Sequence, residues 1–398
     1  MAHVLMVTVG AHGHVNPHLP VLAELVERGQ RVTVAVPAPF AQIAASTGAA
    51  PLIYVSGLPD ESRGEQWPTD PVEGMSVFLA DAVRVFPQLA AALTDDRPDV
   101  VLYDIGGYAG RVLAMRWNLP LVQLSPAMVA WDGYEQDMAE SLPFLRTPEY
   151  ARYLERFAGW LTGLGVDLHP ELFAGRPPRC VVLIPRAMQP HADRVDERVY
   201  TFVGPALDRR PHQGDWPASS EPLVLVSLGS AYTDHPELYR ACADAFAPLG
   251  WRVVISIGSH TDPGAIGDVP DGVELHRWVP QLAVLAQAGA FVTHAGMGGC
   301  SEGLYQGVPM IAVPQAVDQF GNAALLEQLG VGRHVPLAEA TPERLRAALL
   351  ELTESAEVTA RSAALRDELR AAGGAAAAAD VIEGMLARDT PAGQSPDR

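Results

Sequence analysis

The sequence predicts an α/β fold made of two doubly wound parallel sheets, and three observations carry that expectation. Apolar runs alternate with stretches of helical periodicity, the alternation runs through the chain twice, and a segment rich in proline, glycine and charge separates the two rounds. Strands that are apolar throughout and separated by helices belong to a parallel sheet covered on both faces. With 398 residues the chain is long enough for two domains, each with its own core.

In the first half the strand candidates are HVLMVTV (3–9), RVTVAV (31–36), PLIYV (51–55), DVVLY (99–103) and LVQL (121–124). A helix starts at Pro17 with Asn16 as its N-cap, carries Leu19, Leu22, Ala23 and Val26 on one stripe, and stops at Gly29. A second helical segment is APFAQIAASTG (38–48), a third runs over 77–93, and between them lies a polar loop from Ser56 to about Pro71. In the second half the strands are LVLVSLG (223–229), WRVVISIG (251–258), VELHRWVP (273–280), AFVTHAG (290–296) and PMIAVP (309–314), with helices near Pro236–Ala247 and Val317–Leu329. Thr341 to Arg388 reads as mostly alanine-rich helix and the closing TPAGQSPDR as disordered; no short internal repeat is found. The expected domains are therefore 1–208, a linker over 209–222, 223–373, and a C-terminal helix with its tail over 374–398. Both halves read as Rossmann-like, so their ligand loops fall at the carboxyl ends of the strands and are expected to face each other across a cleft.

Composition narrows the function. The chain is 48% hydrophobic and 19% charged, with a formal charge of −19, which argues against nucleic-acid or anionic-membrane partners that need basic patches. Cys180, Cys242 and Cys300 lie far apart, without the spacing of a disulfide framework or zinc ribbon. No basic leader opens the chain and no apolar run is expected to reach membrane-spanning length, so a cytoplasmic protein is expected.

The residues that carry chemistry fall into two groups. In the second half, strand AFVT leads into His294 and Gly296, and Gly298 and Gly299 open a helix. Backbone amides at a helix start, helped by the helix dipole, suit an anion such as a diphosphate. Trp278 offers a flat face for a nucleobase, Gln281 a bond to base or ribose, and Glu302 an acceptor for ribose hydroxyls. Asp318 and Gln319 place an acceptor beside a donor, as vicinal sugar hydroxyls require. In the first half His14 and Asp104 each end a strand, and a His–Asp pair on one sheet edge can take the proton from a hydroxyl nucleophile. His14 and His18 have i,i+4 spacing but no third ligand nearby, so a metal site is not expected, and His12, His18, His169, His212, His235, His260 and His276 read as loop or surface residues. The donor loops carry no acidic cluster for a divalent cation. Pro126–Phe173, rich in aromatics and methionine, reads mainly as helices packed on the sheet, with some members available for an apolar acceptor pocket; Ser56–Pro71 with Trp67 is another candidate wall.

From Val4 to about Met385 the sequence resembles the family 1 glycosyltransferases, which have the GT-B fold and use UDP-sugars. HGHVNP, DRPDVVLYDI, WVPQLAVL, THAGMGG and PMIAVPQAVDQFGNA are most similar to the actinobacterial macrolide glycosyltransferases. The resemblance implies an inverting, metal-independent transfer of glucose from UDP-glucose to a hydroxyl of a macrolide-type acceptor, as in antibiotic inactivation or self-resistance, with no cofactor. It implies His14 as general base and Asp104 as its support. It places Trp278 on uracil with Val279 beside it, Gln281 and Glu302 on the ribose side, and Ser230, His294, Gly296, Gly298 and Gly299 at the diphosphate. It gives Asp318 and Gln319 to the glucose hydroxyls. Cys300 stands where relatives often have serine or threonine, so a hydroxyl contact to phosphate is expected to be weakened there. A nucleotide-sugar epimerase of similar shape, a transferase for another natural-product acceptor, and a non-catalytic nucleotide-sugar binder stay open, as does a homodimer.

Overall fold

The computed structural model describes every residue except 60–64, 66, 208–213, 231–232 and 389–398, and for 387–388 it describes the backbone alone. His212, the start of the expected linker and the expected disordered tail lie outside the described residues. The chain forms two compact units: residues 1–183, 189–208 and 373–398 make the first, and 184–188 and 209–372 the second.

The first unit holds seven strands: β1 His3–Val7, β2 Arg31–Pro37, β3 Ala50–Tyr54, β4 Val100–Asp104, β5 Leu121–Ser125, β6 Cys180–Val182 and β7 Tyr200–Phe202. They are all parallel, in the order β3-β2-β1-β4-β5-β6-β7. The central strand β1 explains why the apolar run is continuous. Val4 and Met6 enter one core with Val21, Leu22 and Leu25 of helix Leu19–Glu27, while Leu5 and Val7 enter another with Val85 and Leu89 of helix Pro71–Ala92. Asp70 caps that second helix through its bonds to the Val72 and Glu73 amides, with Pro71 at the first helical position. At 22 residues it is, among the described residues, the one helix long and apolar enough to cross a membrane by length and composition, against the sequence expectation. It packs Leu79, Val85 and Leu89 into the unit's cores and carries the buried Asp81.

The second unit repeats the plan with β8 Leu223–Ser227, β9 Arg252–Ser256, β10 Val273–His276, β11 Ala288–Thr293, β12 Met310–Ala312 and β13 Gly332–His334, parallel in the order β10-β9-β8-β11-β12-β13. Both sheets are doubly wound, and in each the order reverses beside the first strand: between β1 and β4, and between β8 and β11. Val7 is level with Tyr103 and Ser227 with Thr293, so the loops that follow these strands meet at the two switch points.

Several element boundaries differ from the sequence reading. The helix expected from Pro17 starts at Leu19, and its buried face is Leu19, Val21, Leu22 and Leu25, with Ala23 and Val26 only half-buried. The expected Val317–Leu329 helix starts at Gln319, because Val317 has left-handed backbone (φ 45°). The alanine-rich tail is three helices, Pro342–Glu354, Ala356–Ala371 and Gly374–Arg388, separated at Ser355, which caps the second, and at Gly373 (φ 93°). The last of them buries Ala375, Ala378, Ala379 and Ile382 in the first unit's core beside helix Leu19–Glu27. Arg28 at the end of helix Leu19–Glu27 bonds Asp380 (2.6 Å) and Glu383 (2.9 Å) of it.

Because Ile382 is fully buried, Ile382→Ala leaves a cavity in that core and is expected to cost about 2–5 kcal/mol. The readout is a fall in melting temperature; an unchanged melt would mean that the C-terminal helix contributes nothing to the first unit's stability.

Candidate functional site

At the first switch point the chain leaves β1, makes one helical turn over His12–Val15, and keeps right-handed helical backbone at Asn16 and His18. Winding of that kind puts residues four apart on one side. His14 and His18 therefore share a side, and both meet Asp104, the last residue of β4. His14 Nδ1 lies 2.8 Å from Asp104 Oδ2, and His18 Nε2 lies 3.2 Å from Asp104 Oδ1. The Gly106 amide donates to Oδ2 at 2.9 Å. The turn that brings it there needs glycine: a Cβ at Gly107 would stand 2.6 Å from the Val7 carbonyl oxygen.

Two expectations fail here. Asn16 is no helix N-cap; its amide closes the His12–Val15 turn on the His12 carbonyl, and its side-chain oxygen is buried without a partner. His18 is no surface residue; it is fully buried against Asp104. His12, by contrast, is exposed and makes an edge contact with the Phe40 ring, centroids 5.0 Å apart.

Asp104 is completely buried. Burial alone would push its carboxyl up, but the charge and hydrogen bond of His14 and the hydrogen bond of His18 outweigh this and hold it well below the usual carboxylate range. For His14, desolvation works downwards, yet the charge of Asp104 and its hydrogen bond win and raise the imidazole above 6.5. An ionised Asp104 only accepts, so neutral His14 carries its proton on Nδ1 and leaves Nε2 as the basic nitrogen. His14 keeps 27% of its side-chain surface exposed.

It stands in the wall of a cavity of about 380 Å³ within the first unit. Phe78, Ile105, Tyr108, Met128, Tyr134 and Tyr200 give the wall its apolar and aromatic character, and Gln123 and Ser125 are polar points on it. The aromatic segment thus divides. Met128–Ala130 and Tyr134 line the cavity, whereas Tyr150, Tyr153, Phe157 and Phe173 form a core with Val72, Leu79 and Val112. Trp67 touches the Phe78 ring at 5.3 Å; much of the rest of its loop lies outside the described residues. Sequence reasoning missed Arg111, which is buried over the Phe173 ring (4.8 Å) and donates to the carbonyls of Phe173 and Arg176. It fixes the chain on both sides of Ala174 and Gly175, which line the cavity. An arginine inside a helix gives no sequence signal for that.

At the second switch point Gly229 and Ser230 follow β8, and His294 follows β11. Ser230 is exposed. His294 is wedged between two glycines: a Cβ at Gly229 (φ 80°) would lie 2.7 Å from its Cε1, and one at Gly296 would run into its Nε2. Burial pushes its imidazole down to about 4, so it is neutral at neutral pH. Helix Met297–Gln306 starts at Gly296 with no side-chain cap, and its first intrahelical bond runs from the Cys300 amide to the Gly296 carbonyl (3.0 Å). The amides before Cys300, those of Gly298 and Gly299 included, keep the anion-binding capacity of a helix start.

Cys300 does not share that capacity. Its amide is bonded within the helix and its thiol is fully buried, with burial raising the thiol pKa, so it is a packing residue in this structure. Val279 is buried beside Trp278, a residue that is 60% exposed. Gln281 Nε2 donates to Glu302 Oε2 at 2.6 Å, so the two candidate ribose residues are bonded to each other. Gln319 accepts the Gln315 and Ala316 amides with Oε1 (2.8 and 3.0 Å), and its side-chain NH₂ is the part left for a ligand. Burial raises the Asp318 carboxyl against the opposing hydrogen bond from Asn322. Asn322, fully buried and unmarked in the sequence, donates to Asp318 Oδ2 and to the Ala295 carbonyl, both at 2.9 Å. It ties together two turns in which Ala295 (φ 61°) and Val317 (φ 45°) hold left-handed backbone.

Comparisons with known proteins identify the family. The family model described as "UDP-glucoronosyl and UDP-glucosyl transferase" matches residues 209–359. The chain is 50% identical to the oleandomycin glycosyltransferase of Streptomyces antibioticus, over 100% of this chain and 94% of that one. It is 35% identical to an NDP-glycosyltransferase of Bacillus licheniformis over 98% of each. The crystal structure of the glycotransferase of kitacinnamycin superposes with a TM-score of 0.89 at 46% identity, covering 97% of this chain and 99% of that one. Fold and comparisons together define a glycosyltransferase of the GT-B class. The chain belongs to the UDP-glucuronosyl and UDP-glucosyl transferase family.

The wedge around His294 can be tested through Gly229. Gly229→Ala puts an alanine into left-handed backbone, at about 1–2 kcal/mol, and pushes on the buried ring. Its melting temperature is expected to fall, while Gly159→Ala, in open space on helix Pro148–Gly163, is expected to hold or raise it. Equal melts for the two variants would contradict the wedge.

Proposed function

We propose that the chain transfers glucose from UDP-glucose to a hydroxyl group of a macrolide-type acceptor, with inversion at the anomeric carbon. The observation that carries the reading is the His14–Asp104 pair in the wall of an apolar cavity. Such a pair supplies what a hydroxyl nucleophile lacks, a base that takes its proton as the new bond forms. Similarity to the oleandomycin glycosyltransferase supports the acceptor class.

In this mechanism the acceptor hydroxyl gives its proton to His14 Nε2 while its oxygen attacks the anomeric carbon of the sugar. The bond from that carbon to the UDP oxygen breaks on the opposite side, and UDP leaves with the bonding pair. Asp104 stabilises the imidazolium that forms and fixes the tautomer that precedes it. On the donor side, Trp278 stacks on uracil, Gln281 and Glu302 hold the ribose, and Asp318 with the Gln319 amide reads the sugar hydroxyls. The amides opening helix Met297–Gln306, with neutral His294, stabilise the departing diphosphate, so no divalent cation is called for.

The test is product mass after incubating the purified chain with UDP-glucose and oleandomycin, with and without EDTA. Addition of one hexose to the acceptor, undiminished by EDTA, is the expected result. His14→Ala should lose about 10²- to 10⁴-fold in rate, Asp104→Asn less, and His12→Ala little, all with UDP affinity near wild type. A TDP-linked deoxysugar, lacking hydroxyls for Asp318 and Gln319, should turn over more slowly. An epimerised sugar formed without acceptor, a preference for the deoxysugar, or an active His14→Ala would each overturn the proposal.

A further inference from the structure

We infer that His18 is a positioning residue for the transfer, donating to the second oxygen of the Asp104 carboxylate and so limiting how tightly that carboxylate holds the His14 imidazolium. The inference rests on the reading of His14 as the base. His18 Nε2 reaches Asp104 Oδ1, the oxygen that His14 does not use, at 3.2 Å, and both His18 and Asp104 are fully buried. Oδ2 already accepts from His14 and from the Gly106 amide, so His18 supplies the hydrogen bond to Oδ1. The arrangement also fixes a tautomer. Asp104 accepts, so His18 carries a proton on Nε2, and its Nδ1 is buried without a partner.

His18 therefore acts on the base through the carboxylate. A donor on Oδ1 draws off part of the negative charge that His14 feels. Without it the carboxylate binds the imidazolium more tightly, the His14 pKa rises, and a larger share of the base is protonated and idle at neutral pH. The other titratable groups coupled to Asp104 are Tyr54 at the end of β3 and Tyr108 at the start of helix Tyr108–Trp117. Burial and the negative charge of Asp104 push both phenols up, with Asp81 adding to this at Tyr54 and Arg111 opposing it at Tyr108, so both stay neutral through the working range. On the His18 helix itself the charged residues are Glu24, Glu27 and Arg28, and Arg28 is tied to Glu24 and to Asp380 and Glu383 of the C-terminal helix.

The experiment compares pH profiles of kcat for wild type, His18→Leu, which fills the space without a donor, and His18→Gln, whose amide donates from a position close to Nε2. His18→Leu is expected to move the acidic limb to higher pH by at least about half a unit and to lower kcat at neutral pH several-fold, with KM for UDP-glucose unchanged. His18→Gln should return both towards wild type. A limb that stays in place in folded His18→Leu, or an equal loss in both variants that follows the melting temperature, would make His18 a packing residue and overturn the inference. Ring nitrogen signals of the wild-type chain give a readout that needs no variant and no activity: His18 protonated on Nε2 and His14 on Nδ1 are expected, and His18 protonated on Nδ1 alone overturns it. An active His14→Ala would instead defeat the reading of the base, so the two failures are distinguishable.

Discussion

The buried carboxylate of Asp104 is the constraint around which the first unit's site is arranged. An ionised group sealed from water is costly unless donors surround it. Asp104 has His14, His18 and the Gly106 amide, from two segments of chain that only the β1–β4 pairing brings together. The glycine turn after β4 and the helical winding from His12 to His18 meet that need for donors. Two of the three donors, His14 and Gly106, also line the cavity, and His14 is the one whose side chain both bonds the carboxylate and faces a ligand.

The second unit uses the same place in the same topology to opposite electrostatic effect. His294 follows β11 as Asp104 ends β4, but among the described residues no carboxylate shifts it, and burial drives it neutral. A charge raised by a partner suits proton transfer; a neutral ring held between glycines suits a fixed dipole beside an anion. Asn322 supplies the tie there, bonding the left-handed Ala295 in the turn after β11 and Asp318, which follows the left-handed Val317 before helix Gln319–Gln328.

The long apolar strands were legible because a central parallel strand buries both faces, as β1, β4, β8 and β11 do. β6, β7 and β13 were not: three residues carry no period, and they become strands only by pairing with neighbours already in place. At the site, His14 and Asp104 could be read because each stands at the carboxyl end of a recognisable strand. His18 could not, since its i,i+4 relation to His14 was weighed only as metal-ligand spacing, and the shared partner lies 86 residues away. Asn16 was misread because a proline after an asparagine signals a helix start, whereas here an earlier turn has already begun at His12. At Cys300 the sequence showed only that a hydroxyl is missing; that its amide is bonded within the helix and its thiol is buried appears only once the helix has formed.

All of this requires that the charge of Asp104 sets the proton affinity of His14. Following the His14 ring signals through a pH titration, in wild type and in Asp104→Asn, measures that directly. The account predicts a wild-type midpoint above 6.5 that drops in Asp104→Asn, because removing the carboxylate leaves desolvation as the main influence. A wild-type midpoint at or below 6.5 that does not respond to Asp104→Asn would contradict it.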